Sequence, residues 1–303
     1  LIALIGGGTT PVVWTRAINI WFDKGRGLAL GLTLGGSGLS GIFGPLFVTL
    51  LIGAYGWQGG YIGVGLLILV VALPAIYLMF NDQVSQEEVH IQEGAPNPDE
   101  LEGLSLQQSI RSAPFWIIAG GFFMVSGVVA GLIINVVPML IDRGLTAVDA
   151  ASIAGTLGIA VVIGRVGIGY LLDHFRAPLV ARILIAITAA GCLLLTIEGA
   201  GTWVAVISVM SMGLAAAAEV DLVAYLSSRY FGMKSYGKIY GWQISAFYLG
   251  AAFGPIVVGI AYDVFNSYVQ VLYASSAILL LGAIVVGSLA TPPDFSKEGA
   301  LKK

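Results

Sequence analysis

Charge is scarce in this sequence: Asp, Glu, Lys and Arg make up 10% of 303 residues, and none falls between Gly27 and Trp57. Such a run is too long and too apolar for a helix in water. More than 18 apolar or small residues in succession read as a membrane-spanning helix, because about 20 residues at 1.5 Å each cross the hydrocarbon core. Cysteine is almost absent, and the single Cys192 lies in an apolar run, which excludes a disulfide framework. Histidine is nearly as rare, and His90 and His174 are too far apart in sequence to suggest a metal cluster. Strand-like alternation is missing too, so a β-barrel is not indicated. The net charge of −3 carries little information, because in lipid the placement of charge matters more than its sum. Nothing calls for a cofactor, a metal or a nucleic-acid partner.

What the sequence has in quantity is hydrophobic residues, at 57%. Charged or turn-rich punctuation separates nine apolar segments: roughly 1–21, 27–54, 57–80, 113–140, 147–172, 179–198, 202–228, 236–262 and 268–291. All nine are expected to be helices, since lipid leaves unpaired backbone groups without partners. The fold class is therefore an all-α membrane protein. Residues 81–112, rich in acidic residues, Pro and Gly, read as a solvated linker between two membrane halves, 1–80 and 113–291, with a tail at 292–303.

The fourteen Lys and Arg residues set the orientation. With the first segment running toward the cytoplasm, Lys24, Arg26, Arg111, Arg176, Arg182, Arg229, Lys234, Lys238, Lys297, Lys302 and Lys303 fall on the cytoplasmic side, and only Arg143 falls outside. That bias predicts a multi-pass protein of the cell's inner (plasma) membrane with a cytoplasmic linker and C-terminus. Arg16 and Arg165 remain inside apolar segments. Arg16, one to two turns from the cytoplasmic edge, is expected to snorkel there. Trp57, Tyr61, Tyr262, Tyr268 and Tyr273 lie near span ends, where aromatic rings anchor at the interface.

Gly36, Gly38 and Gly41 satisfy the G-x-G-x-x-G pattern of dinucleotide-binding turns. That pattern needs a strand before it and a water-facing helix after it, and neither is present. An internal repeat gives the glycines another role. At an offset of 210 residues, Gly27 meets Gly237, Gly31 meets Gly241, Leu39 meets Leu249, Phe43 meets Phe253, and Gly44-Pro45 meets Gly254-Pro255. Small residues at Gly27, Gly31, Gly35 and Gly36, Ser40, Gly44 allow close helix approach, and Gly-Pro loosens a helix for bending. Duplicated membrane halves mark many secondary transporters. If segments two and eight correspond, three further spans are expected before Leu1, making the nine spans four to twelve of a 6+6 arrangement; a self-contained nine-span protein is the alternative.

The runs WFDKGRGLALGLTLGGSGLSG (Trp21 to Gly41), GYLLDHFR (Gly169 to Arg176) and AEVDLVAYLSSRYFGMKSYGKIYG (Ala218 to Gly241) resemble the major facilitator superfamily. More narrowly they are similar to its bacterial monocarboxylate-porter and oxalate/formate-antiporter-like branch. The resemblance covers nearly the whole chain. It implies two six-helix bundles around a central cavity working by alternating access, and a monomeric carrier of a small anionic substrate, proton-coupled or antiporting, rather than an enzyme.

Gly169-x-Leu171-x-Asp173 matches the core of that family's cytoplasmic loop motif. Asp173 can accept hydrogen bonds from a neighbouring helix N-terminus and pair with Arg176, latching the cytoplasmic gate. His174 and Phe175 depart from the usual pattern, and a purely topogenic loop is the plainer reading. Arg165 lies about eight residues from Asp173, roughly 12 Å deeper. A charge at that depth costs several kcal/mol unless it meets a partner or a wet cavity. In the resembled branch an eighth-span arginine holds the substrate carboxylate; a structural ion pair is the alternative. Glu219 and Asp221 lie near mid-membrane, about 200° apart on one helix, so only one can face the substrate path, together with Tyr225. Either acid is a candidate proton carrier, and a fixed ion pair or helix-packing hydrogen bonds compete with that role. Gln243, Ser245 and Tyr248 are the polar offerings of span eleven, with Asn135 a further cavity contact. Apart from Lys238 at its cytoplasmic start, span eleven has no lysine, and in the resembled branch this favours a monocarboxylate, because its dicarboxylate binders use a second basic residue within that span. An exporter of another solute and a non-transporting receptor of the same fold are the competing functions. An intramembrane aspartyl protease, using Asp221 and Asp263, lacks the second acid's Gly-x-Gly-Asp context.

Overall fold

A computed structural model describes residues 26–79, 103–197, 199, 201–232 and 234–293. The segment expected at 1–21, with Arg16, lies outside the described residues, as do most of the linker and the end of the tail. The described chain is helical: α1 Arg26–Leu67, a π-helical turn Ile68–Ala72, α2 Leu73–Met79, α3 Leu106–Ile110, α4 Ala113–Asp142, α5 Ala147–His174, α6 Ala177–Leu194, α7 Thr202–Phe231, α8 Tyr236–Phe265 and α9 Tyr268–Gly287. Seven of these helical stretches are long and apolar enough to cross a membrane.

The first of them, Ser40–Ala75, lies within the continuous helical stretch Arg26–Met79, which takes in nearly all of the two segments expected at 27–54 and 57–80. They are joined without a loop, because Gly56 takes φ 72°, ψ −179° and reverses the chain. A Cβ on Gly60 would meet the Ile52 side chain at 3.0 Å and Val48 at 3.6 Å, so the arm after Gly56 lies back along the arm before it. Left-handed φ is the reason the turn needs glycine.

The other six spanning helices pack in pairs, α4 with α8, α5 with α7 and α6 with α9, and α7 also touches α4, α6 and α8. In lipid such contacts are driven by close van der Waals packing, which small residues permit. The tightest seam is α4 on α8: a Cβ on Gly127 would stand 3.1 Å from the Gly250 carbonyl oxygen, and one on Gly131 2.9 Å from that of Gly254. Ser126 donates to the Phe247 carbonyl at 2.8 Å, and Gln243 to that of Phe115 at 3.0 Å, tying the same pair. Elsewhere Thr188 bonds the Ser211 carbonyl (3.0 Å) and Ser276 that of Ala189 (3.1 Å).

Helix α1 meets the rest through α5. The approach is at Gly41, whose Cβ would stand 3.0 Å from Gly158 Cα, and at Gly155, 2.7 Å from the Ile42 carbonyl oxygen. Within the glycine run the contact is made by Gly41, which is not one of the positions expected to make it; the surroundings of Gly27, Gly31 and Gly35 lie outside the described residues. Around Gly36 there is open space, and near Gly44 only its own helix's Ser40.

Arg111, Arg176, Arg229, Lys234 and Lys238 lie at one end of the bundle, where Leu104 N–H bonds Phe231 O at 2.8 Å and the Tyr230 hydroxyl bonds the Ala290 carbonyl. Here the last part of the expected linker is fastened: Gly103 bridges Gly232, α3 carries a Ser105–Gln108 capping box, and Trp116 Nε1 donates to Ile110 O at 2.8 Å. Arg143 sits at the opposite end and donates to the carbonyls of Leu195 and Ile197, beyond the C-terminus of α6. Those carbonyls lack helical partners, and an arginine is a favourable cap for them.

Candidate functional site

Helices α5 and α7 pack closely because Gly164 faces Ala217; a Cβ there would stand 2.9 Å from the Ala217 methyl. Beside that contact Arg165 is half-buried, and its Nε is buried without a hydrogen bond. Four residues on from Ala217, and so on the same side of α7, comes Asp221. It is half-buried and within electrostatic reach of the Arg165 guanidinium. The face continues through Ala224, Tyr225 and Ser228, all half-buried. It is a polar, incompletely covered stripe on an otherwise packed helix.

Glu219 points elsewhere. Its helical neighbours Ala215, Leu222 and Val223, three or four residues away, and Leu226, seven away on the same side, are all buried, and Glu219 is itself only 6% exposed, with Oε1 lacking a hydrogen bond. Of the two acids named from sequence, Asp221 shares the stripe that faces Arg165, and Glu219 is turned into the packed interior.

Helix α8 adds residues that sequence reasoning passed over. Tyr236 reaches the Ala224 carbonyl with its hydroxyl at 3.5 Å and stacks on Tyr240, ring centroids 5.5 Å apart and planes 3° from parallel. Because α7 runs toward the basic end and α8 away from it, Tyr240, one turn further along α8, comes level with Asp221. The signal available in sequence was two tyrosines at i, i+4 opening the span that follows the acidic one.

The remaining candidates are dispersed. Tyr225 directs its hydroxyl to the Leu172 carbonyl (3.4 Å), with the Arg229 guanidinium 5.8 Å above its ring, so it closes the basic end between α5 and α7. Gln243 is buried against α4 through its bond to Phe115, leaving its Oε1 without a partner. Asn135 donates to Gly131 of its own helix at 2.8 Å, as Ser245 does to Gly241 at 2.7 Å. Tyr248 is half exposed, edge-on to Phe247. Arg176 is exposed between α5 and α6; the side chain of its expected partner Asp173 lies outside the described residues. Among the interfacial aromatics Trp57, Tyr61 and Tyr273 are exposed, whereas Tyr268 is buried and stacked on Tyr262.

Comparison with known proteins gives a consistent picture. The sequence profile of the Major Facilitator Superfamily matches residues 1–242 and 168–303. The chain is 26% identical to monocarboxylate transporter 13 of Bos taurus over 97% of its own length and 67% of that protein's, and 24% identical to human monocarboxylate transporter 11 over 94% and 61%. It thus spans three fifths to two thirds of the length of these curated relatives. Among solved structures, the E. coli fucose:proton symporter FucP aligns with TM-score 0.54 at 14% identity, covering 88% of this chain and 70% of that one. A bacterial homologue of the human lysosomal transporter Spinster, inward-facing and unoccupied, aligns with TM-score 0.56 at 17% identity, covering 91% and 73%.

Proposed function

Since the chain belongs to the Major Facilitator Superfamily, we propose that it forms part of a secondary active transporter of a small organic anion, a monocarboxylate, working by alternating access. The observation that carries this reading is Arg165: an intramembrane guanidinium whose buried Nε has no hydrogen bond, placed opposite Asp221 on a half-covered face. An arginine fork matches the two oxygens of a carboxylate in a way that an ammonium does not. A transported carboxylate would complete this pairing only while bound, which gives the loaded and empty states different energies. Asp221 then competes with substrate for the same cation, so that its proton occupancy, or a counter-anion, sets when substrate is held. Tyr240, level with Asp221, is placed to hydrogen-bond either carboxylate. The names of the relatives support the substrate class, and the lack of any lysine on α8 beyond Lys238 in its first turn favours one carboxylate over two.

The test is uptake of labelled lactate, pyruvate and acetate into proteoliposomes containing the full-length protein, with and without a pH gradient and with each acid preloaded. Saturable uptake stimulated by one of these gradients is expected. Saturable binding with no uptake under any gradient would indicate the receptor reading instead.

A further inference from the structure

At the basic end of the bundle, where the α5–α7 stripe reaches Tyr225, there is a concavity of about 360 Å³. It lies between the last turn of α5, the first turn of α6, the end of α7 and the chain leaving α9 at Thr291 and Pro292. Its rim is cationic, with Arg176 and Arg229, and its floor is the buried apolar surface of Leu172, Leu226 and Pro178. Stacking over Tyr225 places the Arg229 guanidinium. Helix α6, 18 residues long, begins at this rim with no side-chain cap, so its positive end adds to the field. Asp173 stands one residue before His174, its side chain outside the described residues.

From the cavity an apolar track leads along the outer surface of α6. Leu179, Ile183 and Ile187, at i, i+4 and i+8, are 45%, 50% and 44% exposed. A cationic cup at the end of the spans, continued by an exposed aliphatic stripe into the hydrocarbon depth, has the shape of a molecule with an anionic head and a long apolar tail. We propose that this cavity binds the phosphate of an anionic phospholipid, with an acyl chain lying along α6. Arginine recognises phosphate by the same two-pronged geometry as carboxylate, and basic pockets between membrane helices suit such headgroups. The track distinguishes this ligand from free phosphate, which would have no use for it.

The measurement is lipid binding by native mass spectrometry, titrating full-length protein in neutral detergent with phosphatidylglycerol, phosphatidylcholine or inorganic phosphate. Phosphatidylglycerol should bind at least tenfold more tightly than phosphatidylcholine, and millimolar phosphate alone should not displace it. Replacing both Arg176→Gln and Arg229→Gln should weaken binding about 25-fold, from about fivefold per interfacial arginine. Arg182→Gln, at the same end but packed on Gly287 outside the cavity, should change it less than twofold. Should the double variant misfold, Leu179→Ser with Ile183→Ser, both on the exposed track, should weaken binding several-fold. Displacement by phosphate alone, equal binding of the two lipids, or an equal loss with Arg182→Gln would each overturn the proposal. None of these readouts depends on transport, so their failure leaves the monocarboxylate reading standing.

Discussion

Glu219 and Asp221 stand two residues apart on α7, and their surroundings share almost nothing. Around Glu219 the helix is closed by Ala215, Leu222 and Leu226; around Asp221 it stays half open, with Arg165 across from it and Tyr240 level with it. The roughly 200° between them decides this, since one side of α7 packs against the bundle and the other carries the half-covered stripe. Two acids that a sequence offers as equals therefore have unequal access to a substrate or a proton.

Four substitutions test the unequal roles of the two acids and of the groups around them. Arg165→Lys should have the largest effect, a loss of uptake of roughly a hundredfold, because the paired hydrogen bonds to a charged group are lost while the charge is kept. Unchanged affinity and rate would make Arg165 structural. Asp221→Asn comes next, removing about tenfold of the stimulation by a pH or anion gradient while binding persists; coupling free energies of this size are ordinary. Equilibrium binding and gradient-driven uptake, measured side by side, separate the two effects. Tyr240→Phe should raise the half-saturating substrate concentration about fivefold, the net worth of one typical hydrogen bond. Smallest of all is Glu219→Gln, for which uptake should stay within about twofold. If Glu219→Gln abolishes gradient stimulation and Asp221→Asn does not, the assignment of the two faces is reversed.

Much of the fold was legible in the sequence because lipid imposes few alternatives on a long apolar run. The segment at 113–140 became α4, and that at 236–262 became α8, each to within a few residues. What single segments could not reveal was how they join or whom they meet. The turn at Gly56 has no loop to announce it. Gly41 and Gly44 look alike in sequence, yet only Gly41 faces α5, because facing depends on the partner's position. Arg143, an exception when charges are counted by side, is explained by the end of α6, some 52 residues away in sequence. At the site, Arg165 was legible from its cost in lipid. Tyr240 was not, since its relevance comes from α7 and α8 running in opposite directions at a common depth.

The α4–α8 seam has a mechanical consequence. At Gly127, Gly250 and Gly254 the two backbones come together directly, with only Ser126 and Val258 beside the contact, so there is little compressible between them. Side-chain layers can yield by changing rotamer, whereas abutting main chains cannot. The pair should therefore tilt as one beam. A displacement at the Tyr236–Tyr240 end then reaches Tyr262 and Asp142, joined at 3.4 Å at the far end, without being absorbed along the way.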